Sequence, residues 1–399
     1  MLAASACAVS REHAATPCPA GSGAGHGTVS LAPHVSANSL WGVAALDESD
    51  AWAVGGRYFP SGRFRALIEH WDGQSWKVVP NPAGIGGQIT SNLDAVAIDA
   101  PDDAWAVGRW SPATHVPREY GLIEHWNGAH WTVVPGPSPC GRTSELTAVA
   151  AISPNAAWAI GFGYTGARPV TVFMGWDGTR WRYLPSPGGG FGGGLTAISA
   201  RDIWLVGGAG ATKSPPTAHT LIQHWNGSKW TIVPAPYEFK HRKLGLGAVG
   251  GSSRTNVWAA GSYQSGPDSS DLSPLVEHWD GTRWRLQPSP NPTGSRGETG
   301  LDSIAAPSRT SALAVGSAWG SHGSIPLLER WDGVHWTTVP SRLRPGVTDP
   351  TLIAVAAVDP CYAWAVGEAT LRPNILDKHI TLIEKWNCAS LQQVPSPNP

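Results

Sequence analysis

Two aspartates stand at the same place in two similar phrases of this chain, Asp94 in LDAVAI and Asp302 in LDSIAA. A carboxylate held at the mouth of a cavity can act as general acid, general base or cation ligand, so Asp94 and Asp302 are the catalytic candidates. Corresponding places elsewhere hold Trp41, Thr147, Thr196, Gly247 and Ile353. A second set mixes rings with cations: Arg57, Tyr58, Trp110, Arg118, Tyr120, Tyr164, Arg168, Tyr237, Tyr263, Trp319 and His322. Aromatic faces beside hydrogen-bonding cations suit a sugar ring, an acidic glycan or another small polar or anionic ligand. These are the ligand-binding candidates. Trp110 and Trp319 lead them because they fall outside every regularly repeated tryptophan position, whereas Trp41 reads as an extra packing wedge.

Other chemistries are less well supplied. His70, His125, His224 and His278 recur in one phrase, EHW or QHW. Equivalent positions in a repeat do not converge within metal-ligand distance, so these histidines read as one structural hydrogen bond remade in each copy. The repeated Glu69, Glu124, Glu277, Glu329 and Glu384 read the same way. No metal site and no cofactor is identified; calcium is compatible with carboxylates at a cavity mouth, but no ligand set points to it. The HExxH, P-loop, GxGxxG and GxSxG patterns are missing from any context that would give them meaning. The glycine run from Gly188 to Gly194 reads as a connection. A formal net charge of -1 over 399 residues offers no general attraction to nucleic acid or acidic membranes, and no apolar run is long enough for a membrane-spanning helix.

The elements that must position these residues come from internal repetition. The step W[DN]G falls at Trp71, Trp126, Trp176, Trp225, Trp279 and Trp331, and as WNC at Trp386. WAVG or a near relative precedes each one, at Trp52, Trp105, Trp158, Trp204, Trp258, Leu313 and Trp364. A third phrase opens each unit, and seven units of about 50 residues result. Each reads as four strands: an opening strand, a turn, WAVG, a variable loop, LIEHW, an Asp-Gly or Asn-Gly turn, and a short last strand stopped by proline. The fold class expected is therefore all-β, a seven-bladed β-propeller with four antiparallel strands per blade. Residues 40–399 form one propeller, with blades near 40–80, 93–135, 146–185, 195–234, 246–288, 301–340 and 352–395, and residues 1–39 form a flexible segment able to lend a closing strand. If the Asp-Gly turn is a two-residue loop, Trp71 faces Gln74 and Glu69 faces Trp76 across the hairpin. Nineteen of the 22 tryptophans lie in these signatures, as wedges between neighbouring blades. By strand parity the short turns share one end of the ring, and the long, uneven loops share the other, which is the better binding face.

The ordered phrases WAVG, LIEHWDGxxW and VPSPNP resemble those of secreted bacterial seven-bladed β-propellers, and the Asp-Gly turns are distantly similar to the Asp-box of sialidases. That resemblance covers Leu40 to Pro399. It implies the fold and an extracellular or cell-surface location, but the family includes lectins, lyases, hydrolases and scaffolds, so it does not choose an activity. The expected function is lectin-like recognition of a glycan or glycoconjugate by the loop face of a monomer. A carbohydrate-active lyase or hydrolase using that face, and a protein-interaction scaffold, are the alternatives. Cysteine placement adds a local expectation. Cys361 lies in the turn between the first two strands of the last blade, and Cys388 replaces glycine in the turn between its last two. Both turns leave the blade at the same end, so a disulfide is expected between them, and with it an oxidising compartment.

Overall fold

The computed structural model describes residues 37–397 apart from 60–62, 83–88, 113–118, 138–143, 166–167, 186–190, 210–218, 237–243, 265–270, 295–296, 321–322, 372–377 and 389. Its strands form seven sheets, each built from strands consecutive in the chain. In the first sheet these are Ala37–Ala45, Ala51–Tyr58, Phe64–Trp71 and Trp76–Val78, paired antiparallel in that order. The fold is a seven-bladed β-propeller, as the repeats predict. Among the described residues blades 1 and 7 meet by side-chain packing; most of the segment expected to lend a closing strand, residues 1–36, lies outside the described residues. Leu40, Trp71 and Trp76 of blade 1 share a core with Trp364, Val366 and Ile383 of blade 7. The Tyr362 hydroxyl donates to the Glu48 carbonyl across the same closure at 2.7 Å.

The second strand of each blade explains the WAVG phrase. It lies in the middle of the stack and is buried on both faces, with Trp52, Ala53 and Val54 at 1% exposure or less. The closing glycine has a different task. A Cβ added at Gly55 would lie 1.9 Å from the Ser39 carbonyl oxygen, and additions at Gly108, Gly161, Gly261, Gly316 and Gly367 would meet first-strand carbonyls just as closely. Opposite each of these glycines the first strand carries a β-bulge, as where Leu93 pairs with Gly108 and Ala95 with Val107, leaving Asp94 unpaired. An extra residue bends the strand and re-aims its side chain. The glycine therefore makes room for the bulge, and the bulge turns one residue per blade toward the axis.

Blade 4 departs from expectation. Its first strand is Phe191–Ser199, so the second half of the glycine run is strand and not connection. Gly192 pairs with Gly207 and Gly194 with Val206, which makes Gly193, and not Thr196, the counterpart of Asp94. Alignment on the leucine misleads because register is set by the partner strand, whose glycine must face the bulge.

The tryptophans pack between blades. Trp52 of blade 1 lies 4.8 Å from Trp126 and 5.1 Å from Trp131 of blade 2, the second contact edge-on. Trp105 repeats this with Trp176 and Trp181, Trp204 with Trp279 and Trp284, Trp258 with Trp331 and Trp336, and Trp364 with Trp71 and Trp76. The hairpin geometry corrects one expectation. Trp71 pairs directly with Trp76, and Glu69 with Val78, because the loop has four residues and not two. Asp72 Oδ1 accepts the backbone N–H groups of Gln74 and Ser75 at 3.0 and 2.9 Å, and Gly73 takes a φ of 87°. This side-chain cap stabilises the wider turn.

The histidines are structural, with a side-chain partner. His70 contacts Asp50 at 2.9 Å and stacks on Trp52 at 4.1 Å. His125 meets Asp103, His224 meets Asp202, and His278 meets Asn256. Where the partner is a neutral asparagine, burial pushes the His278 imidazole down to about 4.

Candidate ligand site at the channel mouth

The seven bulges define a ring around the central channel: Trp41, Asp94, Thr147, Gly193, Gly247, Asp302 and Ile353. All seven line one cavity of about 170 Å³, near the size of a single sugar unit and smaller than a typical drug-sized pocket. Trp41 is partly buried, and its indole lies over Gly56 toward Asn92 of blade 2.

Asp94 belongs to a polar network reaching from this ring toward the loop end. Asn92 Nδ2 donates to Asp94 Oδ1 at 2.8 Å, and Arg109 Nε donates to Asn92 Oδ1 at 3.0 Å. Arg109 Nη1 also donates to Glu145 of blade 3, and Glu119 stands 3.9 Å from Nε. Burial raises the Asp94 carboxyl to about 6; the Arg109 charge opposes the rise and that of Glu145 adds to it. Burial works against the Arg109 charge, but the hydrogen bond to Glu145 and the charges of Asp94 and Glu119 outweigh it and raise its pKa. Among the described residues Asp302 has no such network. Water reaches it, yet the channel walls crowd it enough that poor solvation alone lifts it to about 6. Neither aspartate acts among the charges shifting the other, unlike two carboxyls that share a proton.

The remaining candidates are dispersed. Trp110 and Tyr120 are cross-strand partners at the loop end of blade 2, stacked at 4.9 Å, and the Trp110 indole also packs against the core between blades 1 and 2. Tyr58 packs on Phe64 at 4.9 Å in blade 1. Arg57 is turned inward, where burial lowers its pKa and the buried Glu69 opposes that shift. Tyr263 packs against the core between blades 4 and 5. Trp319 is 46% exposed near the tip of blade 6. Tyr164 and Arg168 lie on the blade 3 hairpin strands, with their side chains outside the described part. Arg118, Tyr237 and His322 lie outside the described residues. Sequence reasoning missed Asn92 and Arg109, which become visible as partners of Asp94 only once the strand register is known. Among the described residues no group of three or more His, Cys, Asp or Glu side chains is arranged to hold a metal ion.

The disulfide is formed between Cys361 and Cys388, with 4.3 Å between the Cα atoms. It occupies the place where, in other blades, the turn glycine touches the first turn, as Gly281 touches Thr255.

No family model matches the chain, and no curated protein matches it in sequence. Solved structures do match in fold. YCF48 bound to a D1 peptide is 13% identical, with 89% of this chain and 93% of that one covered and a TM-score of 0.51. The PL25 ulvan lyase bound to -[GlcA(1-4)Rha3S]- is 11% identical, with 90% and 96% covered and a TM-score of 0.54. Polysaccharide lyase Uly1 is 10% identical, with 90% and 91% covered and a TM-score of 0.52. At such identities the likeness shows the fold alone.

Proposed function

We propose that this protein is an extracellular carbohydrate-binding propeller that takes a glycan unit at the loop-bearing mouth of its channel. The observation that carries the reading is that Trp41 and Asp94 line one sugar-sized cavity, with Asn92 and Arg109 joined in series to Asp94 by hydrogen bonds. An indole face offers stacking area, while carboxylate, amide and guanidinium together accept from and donate to ring hydroxyls. The stacked Trp110 and Tyr120 extend the same blade toward the loops. Polysaccharide lyases are built on this fold, which supports the ligand class by analogy only. The disulfide supports an oxidising, extracellular location.

A glycan array followed by calorimetric titration of the best hit tests the reading. Trp41→Ala and Arg109→Ala are each expected to weaken binding by roughly 1 to 3 kcal/mol. Full affinity in both variants would overturn the site. A lyase or hydrolase is the second reading, favoured by the two channel carboxyls raised to about 6, a value useful for proton transfer near neutrality. Shortening of a bound polysaccharide that stops in Asp94→Asn would move the assignment to an enzyme.

A further inference from the structure

The short-turn end of the ring carries a charge pattern that its repeats do not require. The residue just before the second tryptophan of each hairpin, or before Leu391 in blade 7, runs Ser75, His130, Arg180, Lys229, Arg283, His335, Ser390 around the seven blades. Full cations thus occupy three adjacent blades, imidazoles flank them, and serines lie opposite. The turn between first and second strands repeats the theme, with Arg201, Arg254 and Arg309 in blades 4 to 6 against Glu48 and Asp102 in blades 1 and 2. The two turn sets share one surface, since the Arg201 stem lies against Gly227 of the outer turn.

Most of these cations are unengaged. Arg180, Arg201, Lys229, Arg254 and Arg283 are exposed and pair with no carboxylate among the described residues. Arg309 instead holds the Thr255 carbonyl at 3.2 Å and hydroxyl at 2.9 Å. The aspartates of the same blades are already occupied: Asp177 by Arg182 and its own turn, Asp280 by Arg285 and its own turn, and Asp332 by turn amides. Like charges gathered at equivalent turns repel one another and weaken the compact state. Gathered in an arc, they also match an elongated polyanion, whose charges displace counterions as they pair.

We propose that this crescent is a second binding site, for a chain of acidic polysaccharide whose carboxylate or sulfate groups pair with Arg180, Arg201, Lys229, Arg254 and Arg283. A polysaccharide fits better than a single-stranded nucleic acid because the described residues of these turns expose no Trp, Tyr or Phe ring on which bases would stack, the only exposed rings there being the flanking imidazoles of His130 and His335. The site is at the opposite end of the ring from the mouth and does not rest on the reading given to that mouth.

The test uses the full chain, with polygalacturonate as the carboxylate probe and dextran sulfate as the sulfate probe. Binding to either at low salt, weakening as salt rises, is the expected result. The variant Arg180→Glu with Lys229→Glu and Arg283→Glu should lose affinity by at least about tenfold. Single changes of the same residues to glutamine, each with an unchanged melting temperature, should each lose a part of it. The proposal is overturned if neither polymer binds, or if the charge-reversed chain, still folded, binds undiminished. It is also overturned if a single-stranded oligonucleotide or a phosphatidylglycerol vesicle binds more tightly than both polymers.

Discussion

The seam between blades 5 and 6 and the seam between blades 6 and 7 solve the same packing problem with different materials. In the first, Trp258 is wedged against Trp331 and Trp336. In the second, Leu313 replaces the wedge, Leu391 replaces one of its two partners, and both join a single cluster with Trp386. The two losses of an indole meet each other, so the volume change stays within one seam. Additional ties are found there. Ser341–Arg342 adds a fifth strand, parallel to Leu391–Gln393, and the disulfide pins the end of blade 7. What a seam requires is filled volume and a fixed hairpin, and an indole is one way to supply both. The sharpest way to break the comparison is to empty each wedge. Trp258→Ala should cost about 3 to 5 kcal/mol and Leu313→Ala about 2 to 5, with the tryptophan seam losing more by denaturant unfolding. A larger loss at Leu313 would mean that the tryptophans are not the main packing material.

The disulfide sharpens the contrast at a somewhat smaller cost. Cys388 sits at φ 68°, where six other blades place glycine, a conformation that costs an L-residue roughly 1 to 2 kcal/mol. Closing a loop of this length contributes about 3 kcal/mol in the chain-entropy account, more than the strain removes. Cys361→Ser should therefore destabilise by about 3 kcal/mol. Pairing it with Cys388→Gly should recover roughly 1 kcal/mol of the loss. Equal melting temperatures for the single and double variants would show that the turn carries no strain.

Which of these features were legible beforehand follows from how local they are. Blade count, strand order and the cysteine pairing rest on repeats within about 50 residues, and each could be read directly. The loop in the hairpin could not, because Asp72 caps a four-residue turn as readily as Asp-Gly closes a two-residue one. The bulges were hidden for another reason. The glycine of WAVG looks like strand punctuation until its partner carbonyl is known. With the bulge comes the site, since Asp94, Trp41 and Asp302 share a cavity only because each is thrown toward the axis. Asp94 and Asp302 were chosen correctly as equivalents of each other, whereas Thr196 was not their equivalent in blade 4, where Leu195, three places past the opening position at Gly192, was mistaken for the opening residue. The partners of Asp94 escaped notice because Asn92 and Arg109 are brought to it by the bulged pairing of two strands of blade 2, which the repeated phrases do not display.

The VP[SN]P tails give the finest version of the contrast between seams. Ser289 donates to Glu329 at 2.6 Å, Ser341 donates to Glu384, and Ser396 lies 3.1 Å from Glu69, so each tail latches onto a buried glutamate of the following blade. Burial pushes Glu329 and Glu384 up to about 7, with the serine hydroxyl opposing the rise. A carboxyl raised in the folded state from its ordinary 4.5 binds protons more tightly folded than unfolded. Its contribution is full below about 4.5, is lost as pH rises toward 7, and stays lost above. Stability should therefore fall between those pH values, and Glu329→Gln should flatten the curve by up to about 1.4 kcal/mol per pH unit. An unchanged slope in that variant would place the titration elsewhere. The smallest effect, and the only gain, is expected between blades 4 and 5. There the tail has Ala235, and Glu277 turns to Thr220 at a long 3.5 Å. Ala235→Ser restores the missing donor and should stabilise the ring by about 0.5 to 1 kcal/mol, seen as a higher denaturation midpoint with unchanged slope. A loss of stability would mean that Ala235 serves the core of that seam by its small apolar side chain, and that the serine latch is not transferable from blade to blade.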